Sequence, residues 1–256
     1  MASPIAASDL ERARNLLLSS RSAVALTGAG LSTPSGIPDF RSPGSGLWEQ
    51  VDPLEVASLS SFRYHPERFF RWVLPLARQI HQARPNEAHI ALARLEQAGR
   101  IRGIVTQNID DLHRRAGSRT VLEIHGHFRE ATCVACYQLF PTEPWLPGFL
   151  ERGEIPRCPV CCGLLKPNVV LFGEQLPMQV VSQARALLAS SDLVLVAGSS
   201  LEVMPVALFP AEAANHGARL VIINQECTFL DSRADVVFHA DVADILPRLA
   251  AEVLDA

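Results

Sequence analysis

Two runs hold most of the side chains in this chain that can do chemistry. One is Gly28-Ala29-Gly30-Leu31-Ser32-Thr33, continuing to Gly36-Ile37-Pro38-Asp39-Phe40-Arg41; the other is Thr106-Gln107-Asn108-Ile109-Asp110. The first follows an apolar run over 22–27 that reads as a buried strand. A glycine turn after such a strand lets backbone N–H groups approach a pyrophosphate closely. A Gly-x-Gly pair alone is most often just a turn. The continuation adds an aromatic face, a permanent cation and a carboxylate beside it. Gln107, Asn108 and Asp110 follow a second strand-like run over 101–105, at the edge where open α/β sheets hold ligands. His125, after the run 121–124 and before Gly126, emerges at the same edge. An imidazole titrates near working pH and suits a proton acceptor there. His127 is the competing candidate. Of the other histidines, His65, His81, His216 and His239 read as surface or partly packed groups, and His89 and His113 as core hydrogen-bonders.

The cysteines make a separate centre. Cys133-x-x-Cys136 and Cys158-x-x-Cys161 are separated by 21 residues. Two such knuckles suit a tetrahedral four-thiolate zinc, and four thiolates leave no open position, so the metal is structural. Cys162 competes with Cys161 for the fourth place, the standard spacing favouring Cys161. Cys227 reads as a packed thiol. Few basic residues accompany the knuckles, which argues against a nucleic-acid-binding ribbon.

These residues need elements to position them. Strands are expected over 23–27, 102–105, 121–124, 193–197, 220–223 and 236–239. Helices are expected over 87–98, 179–189, 206–216 and 242–254, with Gly99 and Gly217 as C-terminal caps. Ser8 and Glu11 suggest a capping box opening a helix over 9–18. Such alternation predicts a parallel sheet with helices on both faces. Residues 42–85, aromatic-rich after an irregular start, read as a helical insertion. Residues 128–166 read as a metal-stabilised insertion, leaving 1–41, 86–127 and 167–256 for the α/β domain.

At 256 residues, 48% hydrophobic and a net charge of −4, the chain can bury a large core. No Lys/Arg block suggests a nucleic-acid surface. The first twenty residues lack the apolar run of a signal peptide or anchor, so a cytoplasmic location, with no membrane partner, is expected.

Taken together, GAGxSxxSGIPxFR, TQNID, His125-Gly126, the four cysteines, Pro167–Glu174, Gly198-Ser199-Ser200 and Asn224 resemble the signature set of the sirtuins. These are NAD-dependent protein-lysine deacylases, and the spelling is most similar to a bacterial and archaeal deacetylase branch. The likeness runs from about residue 24 to 242 in family order. It implies a Rossmann-like domain with a smaller domain made of a zinc ribbon and a helical insertion, NAD+ as cofactor and one structural Zn2+. It also implies transfer of an acetyl group from lysine to ADP-ribose, with nicotinamide released. The acyl oxygen attacks the ribose carbon bearing nicotinamide, and a neutral imidazole accepts a proton from the ribose hydroxyls.

Residue by residue, the resemblance makes His125 the base. Asp110 and the Ile109 backbone hold the carboxamide; Asn108 and Gln107 position the ribose and a water; Phe40 covers the reactive face. Gly28, Ala29, Gly30, Thr33, Asp39 and Arg41 line the diphosphate side. Gly198, Ser199 and Ser200 meet phosphate or ribose, Asn224 the adenosine ribose, and Asp241 and Val242 the adenine. Val170, Phe172, Gly173, Glu174 and Val203 match strands that sandwich an acetyl-lysine peptide. Gln225 receives no role.

Hydride transfer is a poor fit to the same glycines. Thr33 stands where the dinucleotide fingerprint has its third glycine, and no second strand follows over 45–60. Relatives that remove succinyl or malonyl groups carry Tyr-x-x-Arg in the helical insertion; Val73 and Leu76 stand there instead. An apolar pocket leaves an acyl carboxylate unpartnered, at a cost, so a neutral acyl group is expected. Two other readings remain, a mono-ADP-ribosyltransferase using the same cofactor pocket and a non-catalytic NAD-sensing or protein-binding module.

Overall fold

The computed structural model describes residues 7–39, 46–47 and 51–256. Nine strands occur among them: β1 Ala23–Thr27, β2 Ile104–Thr106, β3 Val121–Glu123, β4 Gly126–Cys133, β5 Leu139–Pro141, β6 Leu165–Val169, β7 Leu193–Ala197, β8 Arg219–Ile223 and β9 Val236–Phe238. The α-helices are α1 Ala7–Ser19, α2 Pro53–Val56, α3 Leu59–Tyr64, α4 Pro66–Gln82, α5 Glu87–Gln97, α6 Leu112–Arg115, α7 Leu146–Arg152, α8 Met178–Ala189, α9 Phe209–Asn215 and α10 Val242–Leu254.

The main sheet is parallel throughout, in the order β3-β2-β1-β7-β8-β9. Its central strands are short apolar runs buried on both faces, as a parallel sheet covered by helices requires. Alternate residues serve the two faces. Ala23, Ala25, Leu193, Leu195, Val221 and Ile223 pack with α1, α5 and α10. Val24, Leu26, Val194, Val196, Leu220 and Ile222 pack with α8 and α9. The chain reverses its winding between β1 and β7, so the switch point where such sheets bind ligands lies at their carboxyl ends.

Sequence boundaries and structure agree on β1, β7 and α10. Strand β2 begins at Ile104 instead of 102, although Arg102 N–H and Gly103 O still bond to β1, at Ala23 O (2.8 Å) and Ala25 N–H (3.1 Å). Helix α1 starts at Ala7, so Ser8 lies inside the first turn and is not its N-cap. Gly99 (φ +71°) and Gly217 (φ +96°) take the left-handed conformation expected of helix ends. Asn86 caps α5, its side chain accepting from the Ala88 and His89 amides (2.9 and 3.3 Å).

The expected insertion over 42–85 is helical where described, with α2–α4. Phe62, Phe69 and Phe70 of α3 and α4 interlock edge to face and share a core with Leu112, Phe149, Val169 and Leu171. The second sheet is small and antiparallel, in the order β5-β4-β6. Its own core is slight, built on Ala131, Cys133, Cys158 and Leu165. Among the described residues no helix is long and apolar enough to cross a membrane.

Candidate active site

Every strand of the main sheet ends at a residue group that the sequence singled out. Gly28–Thr33 follow β1, Gln107–Asp110 β2, His125 β3, Gly198–Ser200 β7, Asn224 β8 and Asp241-Val242 β9. The β1 and β7 turns interlock at the switch point. Gly30 N–H donates to Gly198 O (2.9 Å), and a Cβ on Gly28 would stand 2.7 Å from that oxygen. A Cβ on Gly198 (φ +61°) would meet Leu31 N at 2.2 Å, so no larger residue fits either turn without moving backbone. Thr33 Oγ1 closes the β1 turn on Gly30 O (3.1 Å). Gln107 Nε2 donates across the gap to Ser199 Oγ (2.9 Å), joining the β2 and β7 ends. Ser200 lies half-buried beside it.

Beneath this edge lies a buried polar cluster. Ser32 Oγ donates to Asp110 Oδ2 (2.6 Å) and accepts from Asn108 Nδ2 (3.1 Å). Asp110 Oδ1 accepts from the Leu112 amide (2.9 Å). Burial pushes the Asp110 carboxyl above its ordinary pKa, while the Ser32 and Leu112 bonds act against that rise. His89 accepts the Asn86 amide at Nδ1 (3.4 Å), so its Nε2–H faces Ser32 Oγ (3.5 Å). Burial lowers the His89 pKa to about 4. Thr27 Oγ1 donates to Thr106 Oγ1 (2.8 Å) and lies 2.9 Å from His113 Nε2, which therefore carries the proton. Burial, and then the facing His89 ring, hold His113 well below an ordinary histidine pKa. Both are buried hydrogen-bonders, as the core reading of these histidines anticipated, and burial keeps both rings neutral. Ser32 is the member that motif reading left without a role, although it stands inside the glycine run. Only its distant partners reveal what it does.

His125 sits half-buried at the end of β3. Its Nδ1 lies 3.1 Å from the Gln107 carbonyl. Donation of Nδ1–H to that carbonyl puts the basic lone pair on Nε2. His125 O accepts from Val170 N–H (2.9 Å), and Gly126 (φ +79°) packs so tightly that a Cβ would stand 1.9 Å from Asn168 O. Below it, Glu123 is buried and paired with Arg129 (2.7 Å), which also bonds Asp111. His127 instead faces Glu130 (3.7 Å), away from the Gln107 carbonyl.

Other sequence-selected residues are placed as follows. Phe172 N–H and O bond to Ala57 O and Leu59 N–H, both at 2.9 Å, so its backbone is committed to the helical insertion while its side chain is 40% exposed. Val170 donates its N–H to His125, Gly173 has φ +80°, and Val203 is half-buried. Glu174 pairs with Lys166 (2.9 Å) and accepts from Leu171 N–H (3.0 Å). Asn224 Nδ2 donates to Glu226 O (2.8 Å), and Asp241 caps α10 through the Ala243 amide (2.8 Å), with Val242 buried behind it. Asp39 O accepts from Leu47 N–H (3.1 Å), and Ile109 packs against the helical insertion. Phe40 and Arg41 lie outside the described residues.

In the small sheet, the sulfurs of Cys133, Cys136, Cys158 and Cys161 all lie within 4.8 Å of one another, with Cys133–Cys161 at 3.5 Å and Cys136–Cys158 at 3.7 Å. Zn–S bonds of about 2.3 Å would set tetrahedral sulfurs about 3.8 Å apart. The Cys136 amide, with that of Ala135, points at Cys133 Sγ and lowers its pKa to about 6, whereas the neighbouring Cys133 sulfur pushes Cys161 up to about 12. Cys162 lies outside the cluster, exposed and at φ +60°. Cys227 is exposed, not packed, because the chain leaves the sheet after β8.

The Sir2 family model matches residues 28–205. An NAD-dependent protein deacetylase of Caldivirga maquilingensis is 46% identical over 242 residues, 94% of this chain and 93% of that protein. NAD-dependent protein deacylase 2 of Archaeoglobus fulgidus is 41% identical over 96% of both chains. A solved Sir2 enzyme with a deacetylated p53 peptide and 3′-O-acetyl-ADP-ribose superposes with a TM-score of 0.89 at 40% identity, covering 95% of this chain and 98% of that one. Another, with p53 peptide and NAD+, gives 0.87 at 40% identity, covering 96% and 99%. Interlocked glycine turns at the sheet's switch point, a histidine at the same edge, a four-sulfur cluster and this likeness lead to one conclusion: the chain belongs to the Sir2 family.

Proposed function

We propose that this protein is an NAD-dependent protein-lysine deacetylase acting on acetyl-lysine in proteins or peptides. The carrying observation is the His125–Gln107 contact, which makes Nε2 the proton-accepting nitrogen at the edge where Asn108 and Asp110 are held. The parallel sheet with its switch point between β1 and β7 supports a dinucleotide laid across that edge, adenosine toward Asn224 and Asp241, nicotinamide toward Asp110 and His125. When bound, NAD supplies an activated ribose carbon and a leaving nicotinamide. Asp110, Ser32 and Asn108 orient the groups around that carbon, and preset geometry of this kind removes a large part of the barrier. His125 Nε2 accepts a proton, and its Nδ1–H bond to Gln107 O steadies the imidazolium that results. Gln107, tied to Ser199, keeps the two halves of the cofactor edge in register.

The acyl pocket is set by an apolar insertion. Val73 and Leu76 of α4 are buried, 2% and 4% exposed, and offer no partner for a carboxylate. A neutral acyl group is therefore favoured over succinyl. On this reading residues 1–41, 86–127 and 167–256 carry the cofactor, 42–85 supply the cofactor loop and acyl pocket, and 128–166 form a ribbon whose four thiolates hold one structural zinc. The test is incubation with an acetyl-lysine peptide, with and without NAD, read by mass spectrometry beside His125→Ala. Deacetylated peptide and acetyl-ADP-ribose are expected, with a loss of about 10²–10⁴ in rate for the variant. ADP-ribose attached to protein would replace this reading with a transferase; binding of NAD without turnover would replace it with a sensor. A succinyl-lysine peptide turned over faster than its acetyl counterpart would overturn the acyl preference.

A further inference from the structure

Cys227, Asp231 and His239 form a second cluster of metal-binding side chains, 227 and 231 on the segment after β8 and 239 one residue past β9. Their ligand atoms all lie within 4.8 Å of one another. Cys227 Sγ is 3.8 Å and Asp231 Oδ2 3.3 Å from the same ring nitrogen, His239 Nε2. The far side of two of the ligands is already fixed. His239 Nδ1 lies 3.3 Å from Asn224 O, and donation there turns the Nε2 lone pair toward the other two. Asp231 Oδ1 accepts from Thr228 N–H (3.1 Å) and Oγ1–H (2.6 Å), which leaves Oδ2 aimed at His239. Outer hydrogen bonds of this kind orient histidine and carboxylate ligands around metals.

We infer that this cluster is a second metal site, taking a borderline-soft divalent cation of the Zn2+ type. Thiolate, imidazole and carboxylate are together the donor set such an ion prefers, and three protein ligands leave a fourth position open. Exposure of Cys227 and His239 makes the ion exchangeable, unlike one held by the four ribbon thiolates.

The site also reaches the cofactor. Asn224 supplies the carbonyl that orients His239, and its side chain, bonded to Glu226 O, is the one read as meeting the adenosine ribose. An ion here fastens the 224–231 segment to the end of β9 and tightens NAD by about fivefold. This coupling rests on the proposed function; the ion itself does not.

The experiment is native mass spectrometry of the zinc-loaded holoenzyme titrated with Zn2+, and separately with Co2+ followed by absorption. The expected result is two ions per chain, the second removed by a mild chelator, and a thiolate-to-cobalt charge-transfer band on loading that site. Cys227→Ser and His239→Gln, both at exposed positions, should each retain the ribbon ion and lose the second. One ion per chain at saturation, uptake only at millimolar Zn2+, or two ions retained by Cys227→Ser would each overturn the site. Calorimetric titration of NAD onto protein carrying one or two ions tests the coupling. Equal affinities would overturn that coupling and leave the site standing, whereas no NAD binding in either form would overturn the proposed function.

Discussion

The four-cysteine ribbon and the buried polar cluster at the carboxyl ends of β1 and β2 both crowd titratable groups together, and they do so on different foundations. The ribbon has a buried core of four residues, two of them its own cysteines. The cluster rests on a sheet packed on both faces by five helices, α1, α5 and α10 on one and α8 and α9 on the other. A fully buried aliphatic side chain contributes about 1.5–3 kcal/mol, so the sheet can hold a buried carboxyl and two buried neutral histidines. The ribbon has four sulfurs placed to take a metal where its own core is slight; the buried cluster's hydrogen bonds are held by the surrounding fold. Where burial is plentiful, polar groups can be kept poised; where it is scarce, they must be ligated.

The sharpest way to break this contrast is to remove a thiol. Cys133→Ala should release the ribbon ion and unfold β4–β6, since the binding free energy of a structural zinc, of order 10 kcal/mol, is largely folding free energy. Far-UV circular dichroism and metal content would be read together, and a variant that keeps both would refute the dependence. Acid should act next most strongly, and on the cluster. His89 is held at about 4 in the folded protein against 6.5 in a model peptide. Its contribution is therefore intact above pH 6.5 and is lost as pH falls toward 4, by about 3 kcal/mol in all. Denaturant unfolding of wild type and His89→Gln across that window should diverge with this sign; parallel curves would mean that His89 is not buried neutral. Asp110, raised instead of lowered, works in the opposite direction and is common to both proteins. The smallest effect belongs to Ser32→Ala, which takes the donor from Asp110 Oδ2 and the acceptor from Asn108. A loss of about 2 kcal/mol is expected, with a larger proportional loss in kcat than in KM. An unchanged kcat would separate Ser32 from catalysis.

The sheet was legible because its central strands are short apolar runs bounded by glycines and polar residues, a pattern that buried parallel strands impose on sequence. The cysteine knuckles were legible for a similar reason, since each pair must close on one ion within four residues. Errors fell where local pattern and tertiary contact part company. Ser8 and Glu11 have the spacing of a capping box, yet α1 runs past them to Ala7. Cys227 looked like a packed thiol because it follows a core strand, but the chain has already turned outward. Ser32 stands inside its motif without a role that the motif itself can give it. Its meaning depends on Asp110 and His89, which no spacing within the glycine run can announce.

Gly126 bears on how this molecule can be altered. It is the residue through which β3 hands the chain to the ribbon, it leaves no room for a side chain against Asn168, and the carbonyl just before it is fastened to Val170. His125 and the residues that follow β6 are thus one mechanical joint. A ribbon transplanted from a relative will keep His125 in place only if it brings a β4–β6 pair that closes on glycine at that joint. The place to cut when grafting is therefore beyond the first β4–β6 pairing, where a misfit would loosen the ribbon without turning the imidazole.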